Sequence, residues 1–222
     1  MRSDLLDALG ATERAALVGC LRPRRFRRGQ VLFNEGDRGD SMHLLQQGRL
    51  AVEASTVDGG VIVLRVVNPG ELVGELALLR PGHRRTGRVS ALEPAETLVL
   101  QRSDFQRLRN ELPGIDRFLT EALADRVIRT SQLATEMLLP AEIRIWRRLA
   151  VLAEAYGPDP IRLSQDTLAH AAGTVRQTAN RVVQAGVRDG VLASGRGVIS
   201  VLDPAAVDRR CAVPGVPPVG RT

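Results

Sequence analysis

The densest string of reactive side chains is Gly74-Glu75-Leu76-Ala77-Leu78-Leu79, followed after four residues by Arg84-Arg85-Thr86-Gly87. A small residue that frees backbone N–H groups ahead of a short helical turn makes a cradle for an anion. An arginine within reach neutralises the anion with two donors, and a threonine hydroxyl adds a third. Glu75 is the odd member. A carboxylate repels a phosphate, so it must accept from some other group, such as a ribose hydroxyl. Together the set fits a phosphate joined to a sugar. The plainer alternative is a β-turn closed by an Arg–Glu ion pair.

A second set lies near the C-terminus. Two short helical patterns, Ser164 to Ala172 and Thr174 to Asp189, pivot on Gly173, which is the sequence form of a helix-turn-helix. Leu168, Ala169 and Ala172 supply the inner face of the first helix. Thr174-Val175-Arg176-Gln177 opens the second with a cap residue and a glutamine three positions on, the spacing of a capping box. In this motif the start of the second helix enters the major groove. Arg176, Gln177 and Arg181, with Thr178 and Asn180 beside them, are therefore expected at base edges. Arginine pairs with guanine O6 and N7, and glutamine favours adenine, each good pairing discriminating by about 1–3 kcal/mol. Ser164 at the first cap and Arg196 at a wing tip are expected on phosphates, which add affinity without sequence information. A bland helical hairpin with solvated arginines is the competing reading. The glycine pivot, the polar and basic helix start and the following β-hairpin weigh against it.

Elements must hold both sets in place. From about Gln30 to Leu100 the chain reads as short β segments broken by turn signals: Asn34-Glu35-Gly36-Asp37, Gln47-Gly48, Asp58-Gly59-Gly60 and Asn68-Pro69-Gly70. Strands at this spacing predict a small sandwich or barrel. From Ser103 the period becomes helical, and after Pro113-Gly114 a long helical pattern extends to Pro140. Along it Leu119, Leu123, Val127, Thr130, Ala134 and Met137 form one apolar seam at coiled-coil spacing. A long helix in so small a chain has little core to cover, so the seam is expected to meet its own copy rather than the β-domain. A helix from Ala141 to about Tyr156 precedes the helix-turn-helix. Val191-Leu192, a Ser194-Gly195-Arg196-Gly197 turn and Val198 to Leu202 make the wing. The tail after Asp208, with Pro214, Pro217 and Pro218, reads as disordered.

Composition bounds the answer. The 222 residues are 44% apolar but only 3% aromatic, so aliphatic side chains make the core. No uncharged apolar run reaches the roughly 18 residues of a membrane span. Asp4 stands where a signal peptide would begin its apolar stretch, which points to the cytoplasm. Cys20 and Cys211 are too few for a disulfide framework, and His43, His83 and His170 lack metal-ligand spacing. No Ser/His/Asp set, glycine-rich nucleotide loop or second carboxylate near Glu75 suggests catalysis. All 31 basic residues are arginine. Residues 1–140 carry 20 of them against 18 acids and residues 141–222 carry 11 against 7, so most of the +6 excess sits in the smaller segment. That favours a polyanion partner for the C-terminal part.

The string GELALL…RRTG, the glycines Gly36, Gly48 and Gly70, the long helix with Thr130-Ser131, and LSQDTLAHAAGTVRQTANRV before GRGVISVLD resemble the cyclic-AMP receptor protein (CRP/FNR) family of transcription regulators. The resemblance runs from about Leu5 to Val207. It implies an α+β chain: an N-terminal β-roll (cyclic-nucleotide-binding jelly roll) over 1–112, a dimerisation helix over 113–140, a winged helix-turn-helix over 141–208 and a tail over 209–222. It implies that the backbone of Gly74, Glu75, Leu76 and Ala77, with Arg85 and Thr86, holds the phosphate of cAMP or cGMP, and that Glu75 takes the ribose 2′-hydroxyl. Val52, Leu64 and Val67 would form an apolar wall, and Thr130 and Ser131 would approach the purine. The implied DNA contacts are those named above together with Thr174, and the implied partners are a palindromic double-stranded operator, a second copy of the chain and RNA polymerase. Arg85→Leu is expected to remove the ligand response and leave the fold intact. Where the family usually reads Arg-Glu-Thr this chain has Arg176-Gln177-Thr178, so its operator is expected to differ. The oxygen-sensing branch needs several N-terminal cysteines, which Cys20 alone cannot supply. The haem branch needs an axial histidine, for which His43 and His83 have no evident partner.

Overall fold

A computed structural model describes residues 9–55, 61–79, 82 and 84–214. The chain divides into two compact units, one of Met1–Gly60 with Leu64–Thr130 and one of Val61–Val63 with Ser131–Thr222. Along the chain, α1 (Ala11–Cys20) leads into β1 (Arg22–Phe26), β2 (Val31–Phe33), β3 (Ser41–Gln47), β4 (Leu50–Ser55), β5 (Val61–Val67) and β6 (Leu72–Val73). A single turn, α2 (Leu76–Leu79), precedes β7 (Arg88–Ala91), β8 (Ala95–Gln101), α3 (Arg102–Glu111) and the long α4 (Gly114–Glu136). The strands form two four-stranded sheets, ordered β1-β8-β3-β6 and β2-β7-β4-β5, as the turn spacing predicts.

Strand alternation explains how the sheets pack. Successive side chains point to opposite faces, and β3 is buried on both. Leu45 joins Phe26, Leu50, Val67, Val73 and Val89 in one apolar cluster. Met42 and Leu44 join Leu100, Phe105 and Leu108 in another, which also holds Leu17 of α1 and Ile115, Phe118 and Leu119 of α4. The seam of α4 therefore divides. Leu119, expected to face a second copy, is buried in the core of this chain, whereas Val127 and Ile128 are 64% and 56% exposed. The first turns of α4 have a core to cover because α1 and α3, which strand spacing does not reveal, lie beside them.

The helix also ends sooner than Pro140: Glu136 is its last residue, and Leu138 and Leu139 donate their amides to Thr135 and Glu136 in a closing turn. The second unit then adds α5 (Ala141–Tyr156), α6 (Gln165–Ala171), α7 (Arg176–Arg188), the hairpin β9 (Leu192–Gly195) and β10 (Val198–Val201), and α8 (Pro204–Cys211). Ile145, Leu149 and Leu152 of α5 are buried, as are Leu168 and Ala169 of α6 and Val182 and Val183 of α7.

The expected tail needs correction. Asp203 caps α8 by accepting from the Ala206 amide at 2.9 Å, and Pro204 occupies the first turn, where its missing N–H is harmless. Ala206, Val207 and Cys211 are buried, and the Arg210 guanidinium lies 5.0 Å from the centroid of the Trp146 ring. Residues 209–211 are thus part of a folded helix. Pro217 and Pro218, like Asp58-Gly59-Gly60 and His83, lie outside the described residues. Among the described residues no helix is long and apolar enough to cross a membrane.

Candidate ligand pocket and nucleic-acid interface

The string at 74–79 folds as its composition requires. Gly74 has φ +85°, and a Cβ there would stand 2.3 Å from Nη1 of Arg85, so only glycine fits. Its carbonyl accepts from the Ala77 amide at 3.3 Å and from Arg85 Nη1 at 3.0 Å. The amides of Glu75 and Leu76 have no partner within the described chain.

Arg85 is 5% exposed. Its Nη1 donates to the Ser41 carbonyl at 2.7 Å as well as to Gly74, and its Nη2 donates to Ser41 Oγ at 3.1 Å. The guanidinium carbon lies 4.0 Å from the centroid of the Phe33 ring, a cation–π distance. Burial makes it less basic than a free guanidinium, a trend that Asp40, Asp37 and Glu75 oppose. Arg85 is consequently a structural residue as well as a candidate ligand-binding one: replacement by Leu would remove three hydrogen bonds to Ser41 and Gly74, so an intact fold is not the expectation the geometry supports.

Glu75 is 3% exposed, and its Oε1 accepts from Arg126 of α4. The plainer sequence reading has an Arg–Glu ion pair, and Glu75 does make one, with Arg126 of α4, while Arg85 bonds to Ser41 and Gly74. Sequence reasoning misses Arg126. The available signal is that it lies one turn before Thr130 on the same helix. Among the described residues, two buried atoms at this site find no partner, Nε of Arg85 and Oε2 of Glu75. One is a donor without an acceptor and the other an acceptor without a donor, a combination natural proteins rarely leave.

The remaining expected pocket residues are spread more widely. Thr86 is exposed, Leu64 is 43% exposed, and Val52 is 7% exposed. Val67 is fully buried in the apolar cluster, so it presents no surface to a ligand, contrary to its expected place in an apolar wall. Thr130 and Ser131 are exposed on α4. The Thr130 hydroxyl donates to the Arg126 carbonyl at 2.8 Å, which leaves the Ser131 hydroxyl as the free donor of the two. His43, on β3, is buried between the rings of Phe26 and Phe33 and bonded to Thr97 Oγ1 at 3.1 Å. Burial, followed by the charges of Arg85 and Arg24, lowers its pKa to about 4.

In the second unit Ser164 caps α6, its Oγ accepting from the Thr167 amide at 3.0 Å. The pivot Gly173 has φ +59°, and the Met137 side chain fills the space a Cβ would need. Arg144 ties this turn down, donating to the carbonyls of Ala172 at 2.7 Å and Gly173 at 2.9 Å, and also to Leu139 at 2.6 Å and Met137 at 3.3 Å. The capping box is a correction. Helix α7 starts at Arg176 with Val175 as N-cap and no side-chain cap bond, because the turn continues through Thr174, whose amide donates to Ala169. Gln177 is accordingly uncommitted and exposed.

Arg176, Gln177, Asn180 and Arg181 form an exposed polar face opposite buried Ala179, Val182 and Val183, with Thr178 half-buried beside them. Gln184, one turn further along that face, is also exposed and was not singled out by the sequence. Arg176 pairs with Asp166 of α6 at 3.2 Å. Arg196 is exposed in the turn between β9 and β10.

Comparison with known proteins matches residues 23–111 to the cyclic nucleotide-binding domain and residues 143–210 to the Crp-like helix-turn-helix domain. The cyclic AMP receptor protein of Thermus thermophilus is 31% identical over 209 residues, covering 93% of this chain and 95% of that one. A CRP-like cAMP-activated global transcriptional regulator of Mycobacterium tuberculosis is 26% identical over 190 residues, covering 82% and 84%. Among solved structures, the catabolite activator protein of Thermus thermophilus is similar at TM-score 0.53 and 28% identity, covering 94% and 98%. A c-di-GMP-responsive regulator of Xanthomonas campestris shares the fold at TM-score 0.74 and 23% identity, covering 86% and 99%. A buried guanidinium and carboxylate in a β-roll, an exposed arginine-bearing helix behind a glycine pivot, and these likenesses along nearly the whole chain lead to one assignment: the chain belongs to the CRP/FNR family of DNA-binding transcription regulators and carries a cyclic nucleotide-binding domain.

Proposed function

We propose that the protein is a cytoplasmic homodimer whose affinity for a palindromic operator is set by a cyclic nucleotide, cAMP in preference to cGMP. The observation that carries this reading is the orphaned pair of buried atoms, Arg85 Nε and Glu75 Oε2. A phosphate oxygen satisfies the first and a ribose hydroxyl the second, and the unpartnered amides of Glu75 and Leu76 add donors on the phosphate side. Thr86 adds a hydroxyl, Val52 and Leu64 supply apolar contact, and Ser131, ahead of Thr130, donates to the purine. Exposed Val127 and Ile128 support pairing of α4 with its copy, the segment 113–140 serving as the dimerisation helix. In the winged module over 141–208, Arg176, Gln177, Arg181, Asn180 and Thr178 read bases, and Ser164, Thr174 and Arg196 meet phosphates.

One observation favours a second reading, a family member that binds DNA without cyclic nucleotide. Both protons of Arg85 Nη1 are already committed inside the fold, so the side chain has a structural reason to be there. Calorimetric titration of cAMP and cGMP into the full-length protein separates the two. Saturable binding near one nucleotide per chain, weakened about fivefold to tenfold by Thr86→Ala through loss of one hydrogen bond, supports the effector-gated reading. No heat with either nucleotide, in protein that melts cooperatively, supports the second.

A further inference from the structure

The N-cap of α7 is occupied by a residue that neither caps nor packs. Val175 has extended backbone (φ −92°, ψ 152°), and its carbonyl accepts from the amides of Thr178 at 3.0 Å and Ala179 at 3.3 Å, so the helix starts there. Its side chain makes no cap bond. Valine is among the poorest N-cap residues, since it has no oxygen to offer the free amides. It is also 65% exposed, whereas the neighbouring apolar residues Ala172 and Ala179 are buried. Folding therefore gains little from an isopropyl group at this position.

The surroundings name a use for it. Val175 directly precedes Arg176 and Gln177, at the end of the helix that a Crp-like helix-turn-helix domain presents to DNA. Bases offer one apolar group in the major groove, the 5-methyl of thymine. We infer that Val175 is a specificity-determining residue that recognises a thymine methyl in each operator half-site, next to the base pairs read by Arg176 and Gln177. This rests on the reading that α7 is the helix that reads bases.

The test uses the full-length protein and an operator selected from a randomised duplex pool, with saturating cAMP or, for effector-independent binding, without it. Each thymine is then replaced in turn by uracil, which removes only the methyl. Wild-type protein should lose about fourfold in affinity per half-site at one thymine step, the equivalent of ~0.8 kcal/mol for one methyl. Val175→Ser should bind the thymine and uracil duplexes equally, and Val175→Ala should show less than the wild-type difference. Val175→Ser should melt no lower than wild type, because serine is the better cap. Wild-type indifference to every uracil, or equal sensitivity in the variants, overturns the inference. Arg176→Ala, run alongside, separates this from failure of the reading beneath it. If Arg176→Ala selects the same operator as wild type, α7 does not read bases and both fall. If it selects a different one while the Val175 variants keep their methyl sensitivity, only the Val175 assignment falls.

Discussion

Arginine is the cation of both proposed sites, in opposite settings. In the β-roll Arg85 is 5% exposed and fixed by Ser41, Gly74 and the Phe33 ring. On α7 the Arg176 side chain is 68% exposed and held only by a surface ion pair with Asp166, while Arg181 and Arg196 project into solvent. A buried guanidinium comes preorganised, with its geometry settled during folding and little screening by salt. An exposed one keeps its rotamer freedom, adapts to a long polyanion and loses strength with ionic strength. The first arrangement suits a small ligand of fixed shape. The second suits DNA, along which a regulator must first bind loosely and then in register.

The largest effect should come from moving a buried arginine. Arg85→Leu should lower stability by about 2–5 kcal/mol and reduce nucleotide affinity more than roughly 100-fold. Arg181→Ala should leave stability within about 0.5 kcal/mol. Thermal melts of the two variants side by side test this, and equal melting temperatures would break the comparison.

Next in size is a pH effect confined to the β-roll. An unfolded chain protonates His43 near pH 6.5, whereas the folded chain does so only near 4. Below 6.5 the unfolded state therefore binds more protons, and stability is whole above that pH and falls as pH drops towards 4, by roughly 3 kcal/mol in all. The slope of melting temperature between pH 6.5 and 4 should flatten in His43→Gln.

On the DNA side, Arg176→Ala should weaken operator binding by roughly 5- to 100-fold and relax preference at one base pair, as measured by competition with single-base operator variants. The smallest change belongs to Arg196→Ala. It should weaken all sequences alike and lower the salt slope of binding by about one phosphate contact per subunit, visible in anisotropy titrations at several salt concentrations.

Much of this organisation is legible before any coordinates. Turn residues and strand-length apolar runs predict a small sandwich or barrel, the family resemblance narrows it to a β-roll, and the pivot glycine with Leu168, Ala169 and Ala172 predicts the helix-turn-helix. What escapes has local physical causes. Strand β1 reads Arg-Pro-Arg-Arg-Phe, four exposed residues and one buried, so apolar alternation gives no signal on this sheet edge. Helix α8 is hidden by prolines that the eye takes for disorder, although Asp203-Pro204 is a helix start. The capping box fails because Thr174 has the right spacing but is still inside the turn. At the pocket, Gly74, Glu75 and Arg85 are apparent from their residue types, but the partners Ser41, Phe33 and Arg126 are remote in sequence and only the fold brings them near.

Arginines tie the end of the long helix to the helix-turn-helix: Arg148 pairs with Glu136 at 3.6 Å and donates to the Ala171 carbonyl at 3.0 Å. Arg144 binds the carbonyls of Met137 and Leu139, just past the end of the long helix, and those of Ala172 and Gly173, at the pivot of the helix-turn-helix. The stub of one helix and the elbow between two others are thereby mechanically tied. Neither can be displaced by an ångström without dragging the other along or surrendering several charge-assisted bonds at once. The stub after α4 and the pivot before α7 are thus joined by fixed hydrogen bonds rather than by a free linker.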